Sequence, residues 1–332
     1  MPLFPRPQAD SPLILLNSAS PWATTREDLE ALWKCDFTSA ITTRTSTLYG
    51  YPDDPTKHQV AFFGSKSSIN SFGFSPYPLE QYLDWIREIT KGDIERKKII
   101  VSIGAADQEE LEEMLQILSE FAAELGISLG VEFNASCPNL NGSPPPAYLP
   151  SLLESYLRSS SRSASRQLQV GIKLPPYTYE EQLVSIVKTI EKATRDRMAD
   201  REVVSFLTST NTLGQGLLFA SQVTEPPRPD DKIAQRPEKS ATEEFGVPNG
   251  YGGLAGEAIH QVSLGNVHRL RSLLNASKDP RMRGITLIGV GGVCDAESAQ
   301  RFLRAGADAV AVATAFGREG IEVFEKIQKG MS

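Results

Sequence analysis

Eight short β-rich runs, interleaved with helical patterns and long loops, predict an α/β chain folded as a (β/α)8 TIM barrel with long loops after strands 2 and 6. Three observations carry that expectation. The alternation continues almost from end to end, which favours a closed ring over an open doubly wound sheet. A chain of 332 residues is long enough for one barrel and shows no internal repeat, so residues 1–332 are expected to form a single domain. The residues able to do chemistry come directly after β-rich runs, where parallel α/β folds keep their active groups.

Each element has its own pattern. Residues 12–16 give the first strand, 26–33 a helix and 39–43 the second strand. Residues 44–77, rich in Thr, Ser, Gly, Pro and aromatic residues, interrupt the repeat before a helix at 78–89. A third strand at 98–103 precedes a helix at 108–125, where Leu111, Met114, Leu115, Leu118 and Phe121 form one stripe. The fourth strand, 129–133, lies in a continuous apolar run, and the fifth, 169–174, leads to a helix at 180–193. After the sixth, 203–208, residues 219–252 form a second insertion, holding Pro226, Pro227, Pro229, Pro237 and Pro248. A helix at 258–274, strand 285–289, helix 296–305, strand 307–312 and helix 317–329 complete the order. Both insertions follow a strand, so both are expected to project over the catalytic end as lids or binding surfaces. For residues 230–244 a solvated linker is the competing expectation.

Composition excludes several classes. A net charge of −7 argues against nucleic acid as partner, because phosphate neutralisation needs a basic face. No apolar stretch approaches the length of a membrane span. The opening Met1-Pro2-Leu3-Phe4-Pro5-Arg6-Pro7 has neither the apolar core of a secretory signal nor an Arg-rich amphipathic leader, so a cytoplasmic protein is expected. Cys35, Cys137 and Cys294 lie far apart without a CxxC pair, which points away from zinc and from a disulfide framework.

The most informative segment is Phe133-Asn134-Ala135-Ser136-Cys137-Pro138-Asn139-Leu140. It sets a thiol among amides and a hydroxyl at a strand end: Asn134 and Asn139 can pair with a planar, amide-bearing ligand, while Ser136 and Cys137 can move a proton. Lys173, in Gly171-Ile172-Lys173-Leu174-Pro175-Pro176, ends an apolar strand, where burial requires an anionic or polar partner. The alternative is a lysine that snorkels into water. Asn211 and Thr212 end the sixth strand in the same way. Asn70 lies in Ile69-Asn70-Ser71-Phe72-Gly73-Phe74 and could reach a ligand or simply form a turn. Gly291 and Gly292 after the seventh strand, with Ala313 and Thr314 after the eighth, suit a phosphate, since the loops after those strands are a frequent phosphate site. A third cluster, containing Gly252 and Gly253, could close the same site.

Taken together, these motifs resemble the dihydroorotate dehydrogenases, specifically the soluble class with a cysteine base, from about residue 17 to 327. Asn17-Ser18-Ala19-Ser20 and Ser46-Thr47-Leu48 belong to the same pattern. The resemblance implies an FMN-bound barrel that oxidises dihydroorotate to orotate in pyrimidine biosynthesis, passes its electrons to fumarate and forms a homodimer. It implies Cys137 as the base, with Ser136 beside it, and Lys173 and Arg44 as charged groups near flavin and substrate. Asn70, Phe72, Gly73, Phe74, Asn134, Asn139, Asn211 and Thr212 would surround the pyrimidine. Ala19, Ser20 and Lys173 would contact the flavin, and Gly252, Gly253, Gly291, Gly292, Ala313 and Thr314 would hold its phosphate end. No metal is implied.

Four departures gather around the substrate. Arg44 stands where the family has lysine, an exchange that keeps charge but changes shape and donor geometry. Tyr49-Gly50-Tyr51-Pro52-Asp53-Asp54-Pro55 replaces the family's usual stretch, Phe72 and Phe74 are bulkier than is usual, and the 219–252 loop is longer. A divergent FMN oxidoreductase acting on another cyclic amide or an enone is therefore the alternative. A catalytically silent barrel would be expected to lack Cys137 or Lys173, and both are present.

Overall fold

The computed structural model describes residues 3–4, 6, 11–139, 144–196, 203–224, 233, 244–248 and 250–331. In chain order the strands are β1 (Leu15–Asn17), β2 (Ala40–Thr42), β3 (Val60–Phe63), β4 (Ser67–Asn70), β5 (Lys98–Ile103), β6 (Leu129–Asn134), β7 (Leu168–Leu174), β8 (Phe206–Ser209), β9 (Leu213–Leu217), β10 (Val223–Thr224), β11 (Tyr251–Gly256), β12 (Thr286–Val290) and β13 (Ala309–Val312). The helices are α1 (Arg26–Lys34), α2 (Leu79–Ile89), α3 (Gln108–Leu125), α4 (Pro150–Ser163), α5 (Glu180–Arg195), α6 (His260–Ala276), α7 (Pro280–Arg283), α8 (Ala296–Ala305), α9 (Thr314–Glu319) and α10 (Glu322–Met331).

Eight strands close into one parallel ring in the order β1-β13-β12-β8-β7-β6-β5-β2, so the expected (β/α)8 barrel is present. The ring closes where Leu15 pairs with Val310 on one side and Leu16 with Ala40 on the other. Asn17 strengthens that seam: its amide donates to Thr42 O (2.6 Å) and accepts from Thr42 N (2.8 Å), as a further backbone pair would.

Strand alternation divides the interior in two. One set of side chains, including Leu16, Ala40, Ile100, Phe206, Ile288 and Ala309, fills the ring itself. Gly171 makes room for Phe206, since an added Cβ would run into that ring. Leu3 and Phe4 join this inner cluster, and Phe4 O accepts from Thr286 Oγ1 at the start of β12, so they plug the amino end of the barrel. The other set, such as Val131, Ile172 and Val310, faces outward onto the helices in a larger core.

Three differences from the sequence reading have physical reasons. Helix α4 was not among the expected helices, because its Ser-rich second half carries little apolar signal. The expected final helix at 317–329 is two helices, broken where Gly320 takes φ of 77°. The insertions are also not plain loops: β3–β4 from the first and β10 and β11 from the second join β9 in an antiparallel sheet, ordered β10-β3-β4-β11-β9. Residues 230–244, apart from Ile233 and Glu244, lie outside the described residues.

Ser68 of β4 shares a hydrogen bond with Thr314, just after β13 (3.1 Å). Asn70, at the end of β4, accepts from Asn139, beyond β6. The second sheet therefore lies across the carboxyl ends of the barrel strands, where both insertions were expected to project. Among the described residues no helix is long and apolar enough to cross a membrane.

Candidate active site

Between the barrel mouth and the antiparallel sheet lies a cleft of about 1140 Å³, its open entrance included. Its walls come from β-strand ends, as the placement of polar residues in the sequence implies.

Four asparagines hold one another in place. Asn134, ending β6, accepts from Asn211 Nδ2 (3.2 Å) and donates to Thr45 Oγ1 (3.0 Å). Asn139 donates to Phe72 O (2.7 Å) and Asn70 O (3.2 Å), while Asn70 Nδ2 reaches Gly253 O (3.4 Å). Asn211 Oδ1 receives the Thr212 backbone N–H (2.8 Å). All four asparagines and Thr212 line the cleft. Asn70 is thus held by residues across the site and is not a turn asparagine alone.

Cys137 also lines the cleft and is only 9% exposed. Burial pushes its thiol up, against the Asn139 backbone N–H and the charges of Lys173 and Arg44, which pull it down. Ser136 sits beneath: its hydroxyl donates to Lys173 O (2.8 Å) and accepts from Asn211 (3.1 Å), tying the β6 and β8 ends to β7. It is not among the residues facing the cleft.

Lys173 is buried and does not snorkel. Its ammonium donates to Ser18 Oγ and Ala19 O, both at 3.1 Å, and lines the cleft. Burial lowers its pKa, while Glu132 and Cys137 act to raise it. Glu132 is the counter-charge that sequence reading missed: it accepts from Ser102 (3.2 Å) and Thr208 (2.6 Å) inside the ring. An acidic residue at an inward position of the apolar β6 was the available signal.

Arg44 faces the cleft, but its guanidinium is largely engaged by the first insertion. It donates to Phe74 O (3.0 Å), Gly73 O (3.4 Å) and Thr24 Oγ1 (3.3 Å), meets Asp53 at 3.4 Å and lies 5.1 Å from the Phe72 ring centre. The departures at Arg44, Asp53, Phe72 and Phe74 therefore form one contact cluster. Phe72, Gly73 and Phe74 all line the cleft.

At the other end, Gly291 and Gly292 take φ of 131° and 76°. An added Cβ would strike Ser263 at the first and lie 2.8 Å from His260 Cβ at the second, so glycine alone keeps this backbone open. Ala19, Ser20, Ala313 and Thr314 line the same end. Gly252 and Gly253 do not: they sit in β11, where an added Cβ would meet Asn70 O and Thr212 Oγ1. Their smallness lets β11 approach β4 and the β8 end. Arg318, Lys66 and Cys294 also line the cleft, although none of the three was among the site residues expected from sequence. Lys66 pairs with Asp295 at 3.1 Å.

A closed parallel barrel that gathers a thiol, a buried lysine and paired glycines in one cleft at its carboxyl end has the layout of a barrel enzyme. Comparison with known proteins narrows the class. A family described as "Dihydroorotate dehydrogenase" matches residues 14–332. A protein of Streptococcus agalactiae serotype Ia is 28% identical over 316 residues, covering 95% of this chain and 87% of its own. Proteins of Streptococcus equi subsp. equi and Streptococcus pyogenes serotype M1 are each 29% identical at the same coverage. All three carry the name "Putative dihydroorotate dehydrogenase A (fumarate)". The chain belongs to the dihydroorotate dehydrogenase family, whose members oxidise dihydroorotate to orotate.

Proposed function

We propose that this chain oxidises dihydroorotate with FMN as cofactor and Cys137 as base, in the cytoplasm and as a homodimer, with fumarate as the final oxidant. The observation that carries the reading is the meeting of Cys137, the interlocked asparagines and Lys173 in one cleft. Two features support a phosphorylated flavin. Ser20 Oγ is buried in the cleft wall without a hydrogen-bond partner among the described residues, and Gly291 and Gly292, packed tightly against Ser263 and His260, put side-chain-free backbone in the same wall. Ala19, Ser20 and Lys173 would hold the flavin ring; Gly291, Gly292, Ala313 and Thr314 would hold the phosphate. When bound, FMN supplies the acceptor for the hydride leaving C6 of the substrate.

The chain's own residues do the rest. Cys137 Sγ, as thiolate, takes the proton from C5, and the positive charges of Lys173 and Arg44 favour that thiolate. Asn70, Asn134, Asn139 and Asn211 present amides whose orientation is set by their mutual bonds, which suits the alternating N–H and C=O edges of a pyrimidine dione. Ser136 positions Asn211 and the Lys173 backbone without facing the ligand.

Cys137→Ala is expected to keep bound FMN yet reduce it at least about 100-fold more slowly with dihydroorotate, the contribution of a general base being typically about 10²–10⁴-fold. Stopped-flow flavin absorbance measures this, and an unchanged rate would refute the assignment. The Arg44–Phe72–Phe74 cluster favours one second reading, in which the remodelled wall admits another cyclic amide or an enone. Anaerobic reduction by a panel of dihydropyrimidines separates the two: orotate binding without dihydroorotate turnover selects the second.

A further inference from the structure

Among the described residues, four cationic side chains line the cleft: Arg44, Lys66, Lys173 and Arg318. Three are answered within the protein. Arg44 meets Asp53, Lys66 meets Asp295, and Lys173 donates to Ser18 and Ala19 with Glu132 nearby. Arg318 differs. Its Nη1 is buried and has no hydrogen-bond partner among the described residues. The neighbouring carboxylate, Glu319, is held by Lys326 at 2.7 Å. A buried guanidinium N–H without an acceptor is costly, and Arg318 is a cleft-lining residue, so an anion bound there would answer it.

The position of Arg318 narrows that anion. It lies four residues after Thr314 on α9, hence on the same helix face, and side chains on a helix lean toward its amino end. Its guanidinium is fixed 5.0 Å from the Phe62 ring centre, and Phe62 stacks on Trp22 (6.0 Å between rings). The side chain is thus pre-set by packing, at the end of the cleft walled by Gly291, Gly292 and Thr314. Lys66, which also lines the cleft from the lid side, is already paired with Asp295.

We infer that Arg318 is the charge partner of the cofactor's phosphate ester, recognising a dianion and so selecting the phosphorylated flavin over the bare one. This rests on the FMN reading above and adds a residue and a specificity to it. Backbone N–H groups at Gly291, Gly292 and Thr314 can bind the phosphate oxygens, but they carry no net charge; Arg318 supplies it.

The test compares two flavins on the deflavinated protein by fluorescence quenching. Arg318→Gln is expected to weaken FMN binding by about 10- to 100-fold, the size of a charged hydrogen bond, and to change riboflavin binding by less than about twofold. Arg318→Lys, which keeps the charge and an aliphatic stem, should recover part of the FMN affinity. Equal losses for both flavins would show that Arg318 only packs the wall through Phe62, and would overturn the inference; so would FMN affinity unchanged in Arg318→Gln. If the wild-type protein quenches neither flavin, the cofactor reading itself fails and takes this one with it. Should Arg318→Gln not fold by circular dichroism, Arg318→Lys and Phe62→Leu still decide. Phe62→Leu keeps the charge but removes the ring that fixes the guanidinium, so a smaller, FMN-specific loss is expected, and equal shifts for FMN and riboflavin there would count against the assignment.

Discussion

Cys137 and Lys173 show how one burial acts oppositely on two kinds of acid. Removing water disfavours charge, so it raises the thiol and lowers the ammonium. The base works only when deprotonated, so kcat/KM is expected to climb as pH rises past the ordinary thiol value near 8.5. A falling limb should follow where Lys173 gives up its proton and with it the charge that favours the thiolate. The two apparent values belong to the pair, because each group appears among the influences on the other. A flat profile between about pH 7 and 10 would count against Cys137 as base. At this scale the sequence was a good guide to which residues gather, because strand-end placement fixes position regardless of loop detail. It was a poor guide to engagement. Arg44 reads only as a charged group near flavin and substrate, yet its planar fork is occupied by Phe74 O, Gly73 O, Thr24 and Asp53, partners that sequence alone does not assign to it.

The β3–β4 hairpin is the element that turns an open barrel mouth into a cleft. Lys66 at its tip reaches Asp295, and Asp295 in turn caps α8 by accepting from Ser298 N at 2.8 Å. The two partners should therefore differ in cost. Asp295→Ala is expected to lower unfolding stability by about 1–2 kcal/mol, because a helix cap is lost. Lys66→Ala should cost less than about 1 kcal/mol, since it breaks only a half-exposed ion pair. Urea unfolding of both variants checks the order, and equal losses would mean that the pair outweighs the cap. None of this hairpin was legible beforehand. Its strands read Val-Ala-Phe-Phe and Ser-Ser-Ile-Asn, too short for period-two alternation to stand out. The long amphipathic α3, by contrast, was found to the residue, since its apolar stripe spans several turns.

For the molecule as a whole, the ring's interior is completed from outside the repeat. Leu3 and Phe4 are each 4% exposed and close the end opposite the active site. Phe4→Ala is expected to destabilise the protein by about 3–5 kcal/mol while leaving flavin affinity near wild type, because the cavity it leaves lies at the far end of the barrel. Thermal and urea unfolding with a flavin titration would check this; loss of flavin at unchanged stability would contradict it.

The seam between β1 and β13 carries a last consequence, for biosynthesis. Leu15 leaves the ribosome long before its partner Val310. Until then the growing sheet has two raw margins, each able to recruit a strand from another nascent chain. The antiparallel flap over the mouth can zip up sooner, since β11 is its final strand. Assembly is thus forced to end at the cylinder's wall, and a stalled or prematurely stopped polypeptide is left as a sticky, half-wound ribbon.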